Sequence, residues 1–552
     1  MKACCSSIVW TGAVALLLAA GPVAGQEVAE MDKNAEAPLS DLQRVDVCVF
    51  AATPGGVLAA VAAAREGRSV VLIEPGRWLG GICGAGLGLA QDCPIPEAVG
   101  GLAKKAFPFG RNLGVQKGFR NWLEERKVPV IYEHRVSSVE KQGVGIVHVR
   151  FEKAPPDKWG CPPEKPEPGS GITVEAKMFI DASYEGDLMA RAGVKYAVGR
   201  EPAAQYNEEH AGVRPVTNFA PIDPYVKPGD PASGLLLHVE ADHGKPLGEG
   251  DDYTQAYNFR NPLAQRGGVQ ITPPENYDPL EFELLGRYIE HLKSGTGRNG
   301  SVEGRVPDWR KPNYQRQMLF SIAPLGVTRF YQDGDYATRA RIWRQHIDYV
   351  RGLHHFLSTD LRVPEQFRKK IAALGLSKTD YPETDGWPHQ LYVRVARRML
   401  GRYVLTEADV MNRTAVADSV GLALYGLDTY PVRRIVVKDA KTGRLGVATE
   451  GNMFVGGDKG TGTPYPIPYR AVTPKQTECT NLLVPVSLSA SFIAYASLRM
   501  EATFMVLGES AGVAAAQAID QEKPVQQIDV PRLQKRLLDL GQVLTWPGES
   551  RK

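Results

Sequence analysis

The stretch from Asp46 to Glu74, DVCVFAATPGGVLAAVAAAREGRSVVLIE, reads as one complete strand, turn, helix and strand. Val47 to Phe50 form a short apolar run, Ala51 to Gly56 a turn of small residues, Val57 to Arg65 an alanine-rich helix, and Ser69 to Ile73 a second apolar strand closed by Glu74. A turn with almost no side chain lets a pyrophosphate approach the backbone, and the N–H groups opening the next helix favour its charge. An acid ending the second strand, about 20 residues on, is placed to accept hydrogen bonds from a ribose. Against the glycine fingerprint of dinucleotide sites, the three positions are held by Ala51, Thr53 and Gly56, so only the last glycine is kept. The unit therefore has two readings: a dinucleotide site, or an ordinary βαβ unit with no ligand.

With 43% hydrophobic and 23% charged residues, the composition is that of a globular protein, and 552 residues predict about two to four domains. The 65 basic and 62 acidic residues leave a net charge of +3, which favours neither nucleic acid nor an anionic membrane as partner. Lys2, the apolar run Ile8 to Ala20 and the small residues Val23, Ala24 and Gly25 have the layout of an export signal over residues 1–25. After its cleavage no membrane attachment is expected, and the mature chain is expected to be secreted or periplasmic. Cys4 and Cys5 lie in that segment; Cys48, Cys83, Cys93, Cys161 and Cys479 have no zinc-like spacing, so no metal is expected. Cys83 and Cys93 are open to a disulfide, Cys83 to a place in a cofactor pocket, and all five to plain burial.

Beyond Glu74, PGRWLGGICGAGLGLAQDC carries Gly80, Gly81, Gly84, Gly86 and Gly88, and so much permissive backbone implies close approach to something flat or phosphate-bearing. A helix around Phe119 to Arg126 precedes strands near Val130 to Tyr132 and Gly145 to Phe151. The proline-rich segment within 152–171, KAPPDKWGCPPEKPEPGSG, reads as a surface loop inserted in a hairpin, with no function. Lys177 to Arg200, KMFIDASYEGDLMARAGVKYAVGR, repeats the opening geometry: a buried strand from Met178 to Ile180, a polar turn at Asp181, then a helix with acids in its first turn. The middle of the chain has no second nucleotide signature. It holds a polar loop at Lys311 to Gln317 and a helix from Tyr336 to Leu357 with Ile342, Ile347, Val350 and Leu353 on one face. Strands around Val432 to Val437 and Leu445 to Val447 read as a sheet over the active site, and His346, His354 and His355 as core or solvated residues.

Three motifs taken together, the ID-A-S-Y-E-G-D-L-M-A-x-A-G segment, the earlier L-G-G-x-x-x-x-G-L-G and the turn with Thr53-Pro54, resemble a secreted bacterial FAD-dependent oxidoreductase family. Its members occur among polysaccharide-degrading proteins, and some are loosely labelled xanthan lyases. QAYNFR (Gln255 to Arg260), WPHQLYVRVARRMLGRY (Trp387 to Tyr403), Ile467 to Arg470, Asn481 to Val484 and LGESAGVAAA (Leu507 to Ala516) extend the resemblance over essentially the whole mature chain. Ala51 departs from the usual first glycine, Val395 from a commoner acid, and Pro485 from a small residue.

The resemblance implies an α/β fold: a Rossmann-like, discontinuous FAD-binding domain at 44–200 and 450–525, an inserted α+β substrate domain at 201–449, and a C-terminal helix and tail at 526–552. FAD contacts fall on Ala51, Thr53, Pro54, Gly55, Gly56, Glu74, Gly80, Gly81 and Asp181. Gly508 and Gly512 join them on a small-residue helix, Gly508 to Ala518, suited to packing beneath a flavin ring. That helix follows a strand from Asn481 to Val486 and a polar turn from Ser487 to Ser491. Hydride removal from an alcohol needs a base, and His389 is the histidine inside a motif-like segment. Arg394 and Arg398, at helical spacing, are expected to share a face and clamp a carboxylate or phosphate, with Tyr257 and Arg260 adding polar contacts. The leading expectation is an FAD-dependent oxidoreductase acting on a sugar-like or other small substrate, with an unidentified electron acceptor. A flavin-bearing lyase or isomerase without net redox, and a cofactor-free binding protein, are the alternatives.

Overall fold

The computed structural model describes residues 42–547 apart from 262, 265–266, 296–301, 308–317 and 457–460. Residues 1–25, read above as an export signal, and the loop Lys311 to Gln317 lie outside the described residues.

Six strands in chain order make most of the central sheet: β1 (Leu42–Phe50), β2 (Val70–Glu74), β3 (Val130–Tyr132), β4 (His134–Gln142), β5 (Gly145–Lys153) and β6 (Gly171–Asp181). Their spatial order is β3-β2-β1-β6-β5-β4. β1 pairs in parallel with β2 and β6, and β2 in parallel with β3, while the β4-β5 hairpin adds antiparallel to the first half of β6. A seventh strand, β7 (Leu482–Leu483), pairs in parallel with Phe179 and Ile180 at the end of β6, so the C-terminal part of the chain completes the sheet begun by the N-terminal part. The expected strand Asn481 to Val486 contracts to these two residues.

Val47 to Phe50 read as a continuous apolar run because the sheet is covered on both faces. Val47 and Val49 face one core with Leu72 and Ile180, while Cys48 and Phe50 face another with Ile73, Phe151 and Phe179. The first core is built on α1 (Pro54–Arg65), opened by Pro54 and capped by Thr53. A second helix, α2 (Tyr336–Thr359), fulfils the amphipathic pattern read in the middle of the chain, and Asp335 caps it by accepting the Thr338 N–H at 2.7 Å. His346 is fully buried in the core and bonds the Ile342 carbonyl at 2.7 Å through Nδ1.

The C-terminal helix begins earlier than the small-residue run. After α3 (Phe492–Leu498), α4 covers Glu501–Gln521, so its positive end lies at Glu501 and not at Gly508. α4 is long and apolar enough to cross a membrane, but 94% of its apolar window is buried within the protein, which marks a core helix. Small residues let it approach α1 closely: a Cβ on Gly508 would fall 2.0 Å from the Gly55 carbonyl oxygen, and one on Gly512 2.3 Å from that of Ala59.

Three further expectations are corrected, and the choice left open for the cysteines is narrowed. Residues 388–403 are not helical; they run largely extended, as β-branched Val393 and Val395 favour, with Arg398–Met399 pairing with Tyr196–Ala197 and Tyr392 bridging to Asn258. The three-stranded sheet of Thr217–Ala220, Arg433–Lys438 and Leu445–Glu450 contributes no residue to the cavity described below. All five described cysteines are free and buried, so Cys83 and Cys93 are not bridged. The proline-rich segment does connect β5 to β6, yet it folds inward onto α2: Arg344 and Arg351 stack on Trp159, and Arg344 pairs with Asp157.

Candidate functional site

The turns that follow β1 and β6 meet. The Thr53 hydroxyl accepts the Gly56 N–H at 3.1 Å and donates to the Ala182 carbonyl at 2.8 Å, tying the first turn to the second. Gly80 donates its N–H to the Ala52 carbonyl at 2.7 Å, which brings the glycine-rich loop to the same place. Ala51 holds φ +72°, the left-handed conformation that a glycine at this position adopts without strain. A Cβ on Gly56 would lie 1.9 Å from the Ala51 carbonyl oxygen, so the one glycine the fingerprint keeps is the one that sterics demand.

A cavity opens on these turns. Ala51, Thr53, Glu74 and Gly81 line it as the sequence reading expects, and Ser183 and Tyr184 extend the wall. Pro54, Gly55 and Gly56 form the buried first turn of α1 beneath. Glu74 is half-buried and accepts the N–H groups of Ala52 and Gly76, each at 2.6 Å. Burial pushes its carboxyl up to about 7, opposed by those two N–H groups and reinforced by nearby Glu185. From the middle of the chain Trp343, His389 and Gln390 close the cavity, and Pro156, Gly160 and Pro162 give the proline-rich loop a place in its wall. The loop is thus not confined to the surface, where the sequence reading puts it.

Asp181, Gly508 and Gly512, expected to touch the cofactor, do other work. Asp181 is fully buried and accepts the Ser183 N–H, the Ser183 hydroxyl and the Met189 N–H at 3.0, 2.6 and 2.8 Å, which braces the second turn from behind. The two glycines seat α4 on α1. The end of α4 nearest the site is instead Glu501, whose carboxylate accepts the Tyr184 hydroxyl at 2.7 Å; burial pushes it up to about 8. Nothing marked Glu501 in the sequence except its position as an acid opening an otherwise apolar helix.

His389 stacks on Trp78 with ring centroids 4.3 Å apart and meets Tyr381 edge-on. Neither ring nitrogen has a partner, and burial pushes the imidazole down to about 3, so it is neutral at physiological pH. Arg394 and Arg398 part company on the extended segment, and no clamp forms between them. Arg398 binds Glu201 at 2.6 Å and the carbonyls of Gly199 and Ala490. Arg394 turns the other way, donating to the Ala256 carbonyl and the Asn258 side chain and stacking on Tyr392 and Tyr430. Arg260 joins it on the Tyr392 ring at 5.0 Å. Tyr257 is fully buried and spends its hydroxyl on the Val395 carbonyl, which makes it a framework residue. Arg499, which sequence reasoning passed over, completes this group. It donates to the Tyr392 hydroxyl at 3.1 Å and pairs with Asp428 at 3.2 Å.

Although the spacing of cysteines and histidines predicted no metal site, Glu209, His210 and Glu407 bring ligand atoms within 4.8 Å of one another; none of them lines the cavity, and His210 and Glu407 are already hydrogen-bonded at 2.8 Å.

The FAD dependent oxidoreductase family model matches residues 46–537. The chain belongs to that family. Its cofactor is FAD. No curated protein sequence matches it. Solved structures similar to parts of the chain include the anhydrotetracycline hydroxylase OxyS from Streptomyces rimosus, at 13% identity over 29% of this chain and 36% of that one, TM-score 0.20. A geranylgeranyl bacteriochlorophyll reductase-like protein from Thermoplasma acidophilum is 20% identical over 28% and 43%, TM-score 0.20. Thioredoxin reductase from T. acidophilum is 18% identical over 25% and 34%, TM-score 0.17. The chain spans less than half the length of each of these three structures.

The residues present fit the cofactor. Ala51 and Thr53 bring the start of α1 to the cavity, where a helix N-terminus favours a pyrophosphate, and Glu74 lines it as the acid that closes β2; His389 lines the same cavity.

Proposed function

We propose that this FAD-dependent oxidoreductase is an exported enzyme that removes hydride from a sugar-like or other small organic alcohol. One observation carries the reading: the cavity on the nucleotide turns is closed by Trp343, His389 and Gln390 from the middle of the chain, so cofactor and substrate segments share one enclosure. The two-electron acceptor in that enclosure is FAD, which supplies the redox chemistry when bound.

The chain's own residues have three tasks. Thr53 and Gly56 fix the turn that receives the pyrophosphate, and Glu74 orients the ribose. The aromatic wall of Trp78 and Trp343 keeps water out of the enclosure. His389, neutral with one donor and one acceptor nitrogen, orients a hydroxyl by hydrogen bonding; a site held near 3 is a weak proton acceptor at neutral pH. The export signal over 1–25 supports action outside the cytoplasm, where the electron acceptor is a further small molecule or protein.

The test is anaerobic reduction. The purified mature protein is mixed without oxygen with a panel of sugars, uronic acids and hydroxy acids, and flavin absorbance is followed. Bleaching by at least one member, reversed by an added electron acceptor, is the expected result. Product formed with no bleaching and no acceptor would instead establish the lyase or isomerase reading.

A further inference from the structure

Outside the cavity wall, four separate segments bring three arginines into one buried polar group. Arg260, Arg394 and Arg499 are 7%, 2% and 4% exposed, and the Nε of each has no hydrogen-bond partner. Arg260 is the extreme case, since none of its nitrogens has an acceptor among the described residues and its guanidinium lies over the Tyr392 ring. Around it, Asn258 Nδ2 and both amide atoms of Asn261 are also buried without partners. Such a concentration of orphaned donors is costly, because each buried donor without an acceptor forfeits its hydration.

The charges are equally unbalanced. Three guanidinium groups face two carboxylates, Asp428 at 3.2 Å from Arg499 and Asp92 further off, which leaves an excess of one positive charge in a buried setting. The tyrosine faces that stack on Arg394, Tyr392 at 4.6 Å and Tyr430 at 4.0 Å, hold the guanidinium plane but accept no N–H in its plane. What would satisfy the group is a planar monoanion that accepts several N–H bonds at once, which is the chemistry of a carboxylate.

Its position relates it to the flavin site. A Cβ on Gly86 would fall 2.4 Å from the Arg260 Cβ, and one on Gly81 2.6 Å from the Tyr184 hydroxyl, so the glycine-rich loop has the arginine group at one end and the cavity at the other. Tyr184 in turn bonds Glu501, two residues after Arg499 at the head of α4.

We propose that Arg260, Arg394 and Arg499 form a carboxylate-binding site, so that the substrate is a small acid bearing an oxidisable hydroxyl, such as a uronic or hydroxy acid, and not a neutral sugar. This rests on the oxidoreductase reading above and assigns its substrate class. Arg260 anchors the carboxylate, Arg394 is held flat between the tyrosines to meet it from the side, and Arg499 carries the charge toward α4.

The test uses the purified holoenzyme with acetate as probe and isosteric acetamide as the neutral control, at constant ionic strength. Saturable rise of the thermal midpoint, and perturbation of the flavin absorbance, are expected with acetate and not with acetamide. Arg260→Gln should weaken acetate binding about tenfold or more, the scale of one charge-assisted hydrogen bond. Arg260→Lys should restore part of it. Because the Arg260 guanidinium donates no hydrogen bond among the described residues, R260Q should leave the ligand-free thermal midpoint nearly unchanged or higher. An equal response to acetamide, no response to acetate, or acetate binding unchanged in R260Q would overturn the proposal. So would an R260Q protein whose only change is a shifted flavin reduction potential, which would assign the arginines to the flavin itself. Flavin absorbance of the same sample keeps the two readings apart: a yellow protein indifferent to acetate fails only the carboxylate site, and a colourless one fails the oxidoreductase reading.

Discussion

Ala51 carries a cost that its neighbours make unavoidable. The strand must end and α1 begin within a few residues, so close that a Cβ on Gly56 would fall 1.9 Å from the Ala51 carbonyl oxygen, and Ala51 holds φ +72° although it carries a side chain. An L-residue in that region loses roughly 1–2 kcal/mol relative to its relaxed conformation. Ala51→Gly should therefore raise stability by about 1 kcal/mol, somewhat offset by the freer unfolded chain, with FAD bound at least as tightly. Urea unfolding of the two proteins measures this; a less stable A51G protein would mean that the turn is not strained. At this scale the sequence was readable where chemistry is local. Thr53 and Glu74 act within a few residues of the motif that announces them, and both line the cavity. Arg260, Arg394 and Arg499 were readable only in part, because the meaning of a buried arginine depends on which distant segments face it. Arg398, one turn from Arg394 on a helical reading, is consumed by Glu201.

Elements were legible when their periodicity was strong. The opening unit and α2 follow their hydrophobic patterns to within a few residues, while 388–403 did not, since arginines spaced four apart suit a helix and an extended chain equally. α4 was located but misread at its start and in its purpose. Its small residues pack helix on helix, so the glycines are explained by α1 and not by a flavin ring. That contact makes a sharp prediction: Gly508→Val places side-chain atoms where the Gly55 carbonyl already lies, and should destabilise the protein by on the order of 3 kcal/mol. Thermal and urea unfolding would register the loss. A G508V protein as stable as the wild type would show that α4 and α1 do not meet there.

At the scale of the molecule, β7 and α4 from the C-terminal part complete a sheet and a core begun by β1 and α1, and the middle of the chain closes the cavity that results. The family was legible from motifs spread over this whole length, whereas the inward fold of the proline-rich loop was not, because its composition signals irregular backbone without saying what that backbone packs against. The account stands or falls on FAD occupying the enclosure between Thr53, Glu74 and His389. The direct measurement is the FAD dissociation constant of the wild-type protein and of Glu74→Ala, by flavin fluorescence on cofactor-stripped samples with folding checked by circular dichroism. The wild type should bind one FAD, and the substitution should weaken binding about tenfold or more, the scale of hydrogen bonds to a charged group. A folded E74A protein that binds FAD as tightly as the wild type would place the cofactor elsewhere and contradict the assignment.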